Sequence, residues 1–569
     1  MGLEYFAVLR LTSMPGPLLP VVGFALVAHL WFKKYEPTDA LSLSVLLGLF
    51  PAIPVLLTPL RLSSSTPLII LAGYTSFYIA LLLSIAIYRV SPLHPLYKYP
   101  GPLIGKLSSF HMVYVAARGK QHCYFRRMHA KYGRVVRLGP NVLSIVDVEM
   151  LPSILGVDGM PKGPMWDGRR ISGKYGQIAA GIARGDLVGT RDKHIHAEAR
   201  QLWSRGFTSA SVRKYEPTII RRVGQLVEAL ETQCSPIQGS TDTPVDMSIW
   251  LNFFTFDLMG DLVFGGPFDF LCNGDKDGMV RTIMDSLRYV DSYLFRRTLM
   301  KLPFLRSQTQ GIGEFARQQV LRRLKNGPLH DDLLYHLNGE ENIDNGPAPL
   351  PVLVTAAVAA IIAGSETTAF ALSGVLCAII AHPSCYERLQ SEVDAIFPAN
   401  NGLPADFAEL AQLEYLNAVI NEALRLFPPI PTSLQRAPAP GSGGHYISAD
   451  MFIAEGTAVY VPPYAYHRDP QYFYPDPDAF RPERWLKSED GATSGVLTPS
   501  AFMAFSAGPA NCIARSLALM QMRIVLVSLL QVFDIHFPEG YSSEHWSDSL
   551  EDRFAMAQEA LPVVLKRRL

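Results

Sequence analysis

The sequence predicts a mainly α, α+β protein, and three observations carry that expectation. Helical apolar patterns dominate from about residue 106 onward, the β-rich stretches are short and few, and strands and helices do not alternate as βαβ units. The expected helices are Tyr215–Glu231, Thr255–Phe264, Asp285–Leu302, Pro351–Ala381 and Phe407–Leu426, and the expected β segments are Val135–Val146 and Met451–Val461. Loops rich in Gly and Pro separate them, with no internal repeat and no long low-complexity run.

The N-terminal part precedes this domain and differs in composition. Of 569 residues, 49% are hydrophobic and 18% charged, below the roughly 25% charge of an ordinary soluble chain. The apolar excess is concentrated in three uncharged segments: Pro17–Phe32, Ala40–Leu60 with its prolines, and Pro67–Tyr88. The last has 22 residues, which as a helix reach about 33 Å and cross a hydrocarbon core of about 30 Å. Two to three membrane helices are therefore expected within residues 1–90. A signal peptide is the competing reading of the first segment, but Lys33-Lys34 follow it in place of a small-residue cleavage site. Lys33, Lys34, Arg89 and Lys98 fall on one side of a three-span arrangement, which puts the large C-terminal region in the cytoplasm. Residues 91–105, with Pro92, Pro95, Pro100 and Pro102, read as a stiff hinge, and residues 106–569 as one domain.

Lys+Arg and Asp+Glu both number 51, and no basic stripe offers a nucleic-acid surface. The six cysteines, Cys123, Cys234, Cys272, Cys377, Cys385 and Cys512, contain no CxxC pair and fit neither a zinc site nor a disulfide framework.

The strongest chemical signal is FSAGPANCIA, Phe505–Ala514. A cysteine in an apolar stretch is ordinarily a core residue. Here Gly508 and Pro509 force a tight turn, and a helical pattern runs from Ile513 onward. Cys512 is thus expected at a helix N-terminus, where free N–H groups favour a thiolate. A thiolate there is a nucleophile or a metal ligand. No histidine motif suggests a base for the former, so an iron ligand is the better reading. The second signal is AGSETT, Ala363–Thr368, inside the long apolar helix. Glu366 is costly there unless paired, hydrated or functional, Thr367 can hydrogen-bond a ligand or water, and Gly364 leaves room for a ligand or a local opening of the helix. The bland alternative is a buried, satisfied Glu-Thr pair. The third is NEALRLFPPIP followed by FRPERW. Glu422 and Arg425 share one helix face, and Arg484 can join them on one carboxylate, although most such pairs are solvated helix faces.

Together, in this order and spacing, these motifs resemble the cytochrome P450 family over about Pro92–Leu569, and TFDLMGDLVFG, Thr255–Gly265, is similar to a stretch of its fungal members. The resemblance implies the cytochrome P450 fold with an N-terminal anchor. It makes Cys512 the proximal ligand of haem b, with Phe505 packed on the ligand loop and Gly508 permitting its turn. Glu366 and Thr367 become the distal acid–alcohol pair that relays protons. Glu422, Arg425 and Arg484 become a structural triad behind the loop. HAEAR resembles the WxxxR motif with His196 in place of Trp, so His196, Arg200 and Arg436 become candidate propionate partners. Two departures stand out: Ala510 replaces the Arg, and Ala514 the final Gly, of FxxGxRxCxG. The loss at 510 bears on haem affinity.

The implied function is a monooxygenase acting on an apolar small molecule in fungal secondary metabolism, on a terpenoid or polyketide scaffold. No GxGxxG nucleotide fingerprint is present. The implied electron donor is therefore a membrane-bound NADPH–cytochrome P450 reductase, with cytochrome b5 as a further candidate, and the implied location is the endoplasmic reticulum. Ala359 and Ile362 are expected to face the pocket, Gly156–Gly189 to form a loop over the haem, and Tyr293–Leu305 to touch the membrane or to pack as a core helix. Two alternatives stay open: an isomerase or dehydratase of the same fold that uses no O2, and a non-catalytic haem sensor or carrier.

Overall fold

A computed structural model describes residues 18–35, 40–53, 66–169, 187–234, 243–266, 268–276, 278–287, 310–328, 330–340, 347–399, 402–487 and 495–568. The chain divides into two compact units, Met1–Ser109 and Phe110–Leu569.

In the first unit, α1 (Leu18–Tyr35) packs on α2 (Thr66–Val90). Val21, Ala25 and Ala28 recur at helical spacing and meet Phe77 and Leu81 in a small core. A short helix, Ala40–Ser44, continues into a π-helical turn, Val45–Leu49. The Tyr74 and Tyr78 hydroxyls donate to the Gly48 and Leu47 carbonyls at 2.8 and 2.6 Å. Leu68, Leu71, Leu82 and Ile87 stay exposed on α2, an apolar surface unusual outside a membrane or an interface.

The second unit is built on α3 (Gln121–Tyr132), α4 (Lys193–Arg205), α5 (Glu216–Cys234), α6 (Met247–Phe264), α7 (Gln310–Asn326), α8 (Leu350–Ile380), α9 (Glu414–Leu426) and α10 (Arg515–Val532), with shorter helices between. Its strands are β1 (Val135–Gly139), β2 (Val142–Ile145), β3 (Val245–Asp246), β4 (Leu434–Arg436), β5 (Gly444–Ser448), β6 (Met451–Ala454), β7 (Ala458–Val461), β8 (Phe533–His536), β9 (Glu551–Arg553), β10 (Ala555–Ala557) and β11 (Pro562–Arg567). They form one four-stranded sheet, β1-β2-β7-β4, a three-stranded sheet, β3-β11-β8, and the hairpins β5-β6 and β9-β10. The expected mainly α architecture with minor sheets is the one observed.

Among the described residues, four helical stretches are long and apolar enough to cross a membrane: Ile70–Val90, Met247–Phe264, Leu350–Ile380 and Arg515–Val532. The last three are largely buried inside the second unit and make its core. The apolar excess of the chain is therefore shared between the N-terminal unit and a helical core that is hydrophobic nearly all round.

Local chemistry sets the helix ends. Pro351 sits in the first turn of α8 and Pro383 follows its end. The helix expected over Phe407–Leu426 is split. Leu413 is extended (φ −63°, ψ 103°), and the Glu392 carboxylate caps the new start by accepting the Tyr415 and Leu416 N–H groups at 2.7 and 2.8 Å. The expected helix Asp285–Leu302 is described only at its start, within Met279–Leu287; the remainder, and all of Tyr293–Leu305, lie outside the described residues.

Candidate active site

A cavity of about 450 Å³ is lined by side chains of α4, α6 and α8, by β4, and by the loop ahead of α10. That volume is in the range of small-molecule sites. Of the loop expected over Gly156–Gly189, residues 170–186 lie outside the described residues. Lys162, Trp166, Leu187 and Val188 from its described parts line the cavity.

Cys512 reaches the cavity from the turn before α10. Gly508–Ala510 is a single 3-10 turn, and Gly508 has φ +70°. A Cβ at Gly508 would lie 1.9 Å from the Leu155 carbonyl oxygen, so both backbone sign and space demand glycine. The Cys512 N–H donates to the Phe505 carbonyl at 2.9 Å, closing the loop. Helix α10 begins at Arg515, not at Ile513, so Cys512 stands three residues ahead of the first helical residue and outside the first turn. Cys512 is exposed to the cavity and surrounded by protein on its other sides. Burial accordingly pushes the thiol up, against the Ala514 N–H and the charges of Arg200 and Arg515. The Arg515 guanidinium lies 5.5 Å from the Phe505 ring centroid.

Helix α8 presents Ala359, Ile362, Ala363 and Thr367 to the cavity, a spacing that follows one helix face. The Thr367 Oγ1 donates to the Ala363 carbonyl at 2.6 Å, and the buried Glu366 lines the same cavity. Gly364 has a different reason from the expected one. A Cβ there would meet Met259 Sδ at 2.5 Å, so the glycine admits the methionine of α6, and α8 stays helical through it.

Glu422, Arg425 and Arg484 are buried together. Glu422 accepts two hydrogen bonds from Arg425, both 2.8 Å, one from Arg484 Nε at 2.9 Å and one from Trp485 Nε1 at 2.9 Å. Burial opposes its charge, but Arg425 and Arg484 outweigh that and hold the carboxyl below the usual range. His467, which the sequence reading passed over, continues the network. Its carbonyl accepts from Arg425 Nη1 at 2.6 Å, and its Nε2 accepts the Met503 N–H at 2.9 Å. Met503 lines the cavity. No local motif marks His467; only its burial next to a main-chain donor does.

Five basic side chains line the cavity: Lys162, His196, Arg200, Arg436 and Arg553, the last paired with Glu551. Arg200 forks onto Asn511, donating to its carbonyl at 2.7 Å and to its Oδ1 at 2.5 Å. Arg436 is buried, which lowers its pKa to about 10. Burial first, then the charges of Lys162, Arg200 and Arg436, drives His196 down to about 3, so it is neutral. Lys162 was not foreseen from the sequence, because nothing local distinguishes it. Glu366 is the one carboxylate among the described lining residues. A thiol, apolar walls and several basic side chains fit a flat apolar ligand that carries a metal and anionic groups, and haem b is such a ligand.

Comparison with known proteins agrees with this chemistry. The family model described as Cytochrome P450 matches residues 95–559. The chain is 33% identical over 501 residues to tryprostatin B 6-hydroxylase of Aspergillus fumigatus, covering 87% of this chain and 84% of that protein. It is 30% identical over 517 residues to trichothecene C-15 hydroxylase of Fusarium sporotrichioides (87% and 97%), and 30% identical over 552 residues to cytochrome P450 67 of Uromyces fabae (94% and 96%).

Proposed function

The chain belongs to the cytochrome P450 family, a haem-thiolate family, and we propose that it is a membrane-anchored monooxygenase whose haem iron is ligated by Cys512. The observation that carries the site assignment is the Cys512 sulfur opening onto a mostly apolar cavity that also holds Glu366 and Thr367. The bound haem supplies O2 activation with two electrons, placing one oxygen atom in the substrate and releasing the other as water.

The chain's own residues prepare that chemistry. Gly508 and the Cys512–Phe505 hydrogen bond hold the ligand loop, and Phe505 packs beside it. Glu422, Arg425 and Arg484 brace the loop through His467 and Met503. His196, Arg200 and Arg436 belong to the basic side that receives the propionates. Glu366 holds a proton on its carboxyl, and Thr367 Oγ1, now donating to Ala363, turns to pass it into the cavity. Ala359, Ile362, Val358 and Phe207 offer an apolar substrate surface and exclude water.

The substrate class we infer is an apolar small molecule of fungal secondary metabolism with a terpenoid or polyketide scaffold. The hydroxylase names among the relatives support the reaction, and the cavity walls support the apolarity. Residues 1–90 form the anchor in this reading, residues 91–105 the hinge and residues 106–569 the haem domain. The exposed apolar face of α2 supports the anchor. The haem domain lies on the cytoplasmic face of the endoplasmic reticulum and receives electrons from NADPH–cytochrome P450 reductase, with cytochrome b5 as an additional donor. Membranes containing the protein, the reductase and NADPH, screened against apolar scaffolds under isotopically labelled O2, test this. Label in the product supports the monooxygenase, and conversion without label contradicts it.

A further inference from the structure

The pairs that meet along α1 and α2 fix the relative direction of the two helices. The Lys33 ammonium lies 4.1 Å from the Tyr88 ring centroid, and the His29 and Tyr88 rings are 5.7 Å apart. Val21, Ala25 and Ala28 precede these residues on α1 and pack with Phe77 and Leu81, which precede Tyr88 on α2. Both helices therefore run the same way. An antiparallel pair that met at Lys33 and Tyr88 would carry Val21 past the end of α2. Helix α1 has 18 residues and spans about 27 Å, so the chain between Tyr35 and Thr66 must travel back by a similar distance.

The described part of that connection, residues 40–53, heads in the returning direction. Tyr78 bonds the Leu47 carbonyl and Tyr74 that of Gly48, while the Phe50 ring lies 4.9 Å from that of Phe24. Its numbering thus rises as that of α2 falls, and it moves away from the end marked by Lys33 and Tyr88. Leu41, Val45, Leu49 and Ile53 recur every four residues and stay exposed, an apolar stripe along its outer face, whereas Leu46 is buried. The backbone carries a second sign of its surroundings. Val45–Leu49 is a π-helical turn closed by the Phe50 N–H on the Val45 carbonyl at 2.8 Å, and Pro51 beyond it has no N–H to donate. The two tyrosine hydroxyls meet carbonyls of this turn at the surface of the unit. Water would satisfy such carbonyls in solution; in hydrocarbon only protein donors can.

We infer that residues 40–60 are a second membrane span, antiparallel to α1 and α2, whose outer stripe faces lipid acyl chains and whose turn is held by Tyr74 and Tyr78. The stretch Ala40–Leu60 carries no charged side chain and as a helix would reach about 31 Å, enough for a hydrocarbon core of about 30 Å. The anchor then crosses three times, and the start of α1 faces the side opposite the haem domain. The Arg89 guanidinium donates to the Leu107 carbonyl, which keeps the chain leading to the haem domain at the same end as Lys33. The inference rests on the reading of residues 1–90 as a membrane anchor.

The test uses the full-length protein in sealed endoplasmic-reticulum vesicles. A flexible insert carrying an Asn-x-Ser glycosylation acceptor is placed in turn ahead of Leu18, between Tyr35 and Ala40, and between Arg61 and Thr66. Three spans with a cytoplasmic haem domain predict glycan on the first and third inserts and none on the second. Protease added outside the vesicles is expected to cut the second insert and spare the other two. Glycan on the second and third inserts alone means that only α1 and α2 cross, and glycan on all three means that only α2 crosses; either pattern overturns the inference. Glycan on the second insert alone, or on none, overturns the orientation. Release of the unmodified protein from the vesicles by alkaline carbonate overturns the anchor reading itself.

Discussion

His467 accepts the Met503 N–H at 2.9 Å while its own carbonyl accepts Arg425 at 2.6 Å, so one buried imidazole joins the Glu422 network to the lining of the cavity. Its Nδ1 lies 2.9 Å from the Arg425 carbonyl. Because Nε2 is an acceptor, Nδ1 carries the proton, and the neutral tautomer is defined by its neighbours. His467→Ala removes both side-chain bonds and leaves two buried main-chain groups unmet, a cost of about 1–3 kcal/mol each. The expected outcome is a lower melting temperature and faster conversion of the ferrous carbonyl complex to a form that has lost its thiolate. His467→Gln, which can replace one bond, is expected to recover part of the loss.

The same burial gives a pH dependence. His467 and His122 are held near 3, each mainly by burial, against an ordinary value of 6.5. A depressed histidine binds more protons unfolded than folded between those values, so stability rises with pH across that window and is lost as pH falls from 6.5 towards 3. The slope approaches roughly 1.4 kcal/mol per pH unit for each such histidine. Denaturant titrations at several pH values are expected to show weakening that begins near pH 6, above the range of the carboxylates. A flat stability profile from pH 7 to 5 would contradict it.

Removing Arg425 from the buried triad takes two charge-assisted hydrogen bonds from the Glu422 carboxylate and leaves it held by Arg484, Trp485 and the Arg481 N–H. Arg425→Ala is expected to cost about 3–5 kcal/mol and to yield protein with little bound haem. The measurement is the ratio of haem to protein after purification. Arg425→Lys keeps the charge but not the fork, and is expected to fall between the two.

Gly508→Ala combines a left-handed backbone with a Cβ directed at the Leu155 carbonyl. The backbone alone costs about 1–2 kcal/mol, and the clash adds to it by displacing the ligand loop. Loss of haem with helical content retained by circular dichroism is the expected signature.

For the acid–alcohol pair the expected effect falls on chemistry and not on binding. Glu366→Gln and Thr367→Ala are predicted to keep haem and substrate affinity while product formation drops about a hundredfold, within the usual range for a lost acid–base group. NADPH consumption measured beside product separates slow chemistry from wasted electrons.

How much of this was readable before the structure depends on range. The apolar run of α8, bounded by Pro351 and Pro383, and the Gly508-Pro509 turn before Cys512 are local signals, and the element bounds follow them closely. Helix α10 starts two residues later than its pattern suggests because Cys512, Ile513 and Ala514 continue the loop. The break at Leu413 was invisible because its cap, Glu392, belongs to another helix. Gly364 reads locally as ligand space, but Met259, brought by the packing of α6 on α8, occupies it. Lys162 beside Arg436, and His467 beside Met503, are non-local pairings that no periodicity encodes.

The most direct test of the central claim is the carbon monoxide difference spectrum of the reduced protein in haem-supplied membranes, with Cys512→Ala alongside. A thiolate ligand at Cys512 predicts the long-wavelength Soret band characteristic of the family in the parent and its loss in the variant. Persistence of that band in Cys512→Ala, or its absence from folded, haem-containing parent, would contradict the assignment of Cys512 as the iron ligand.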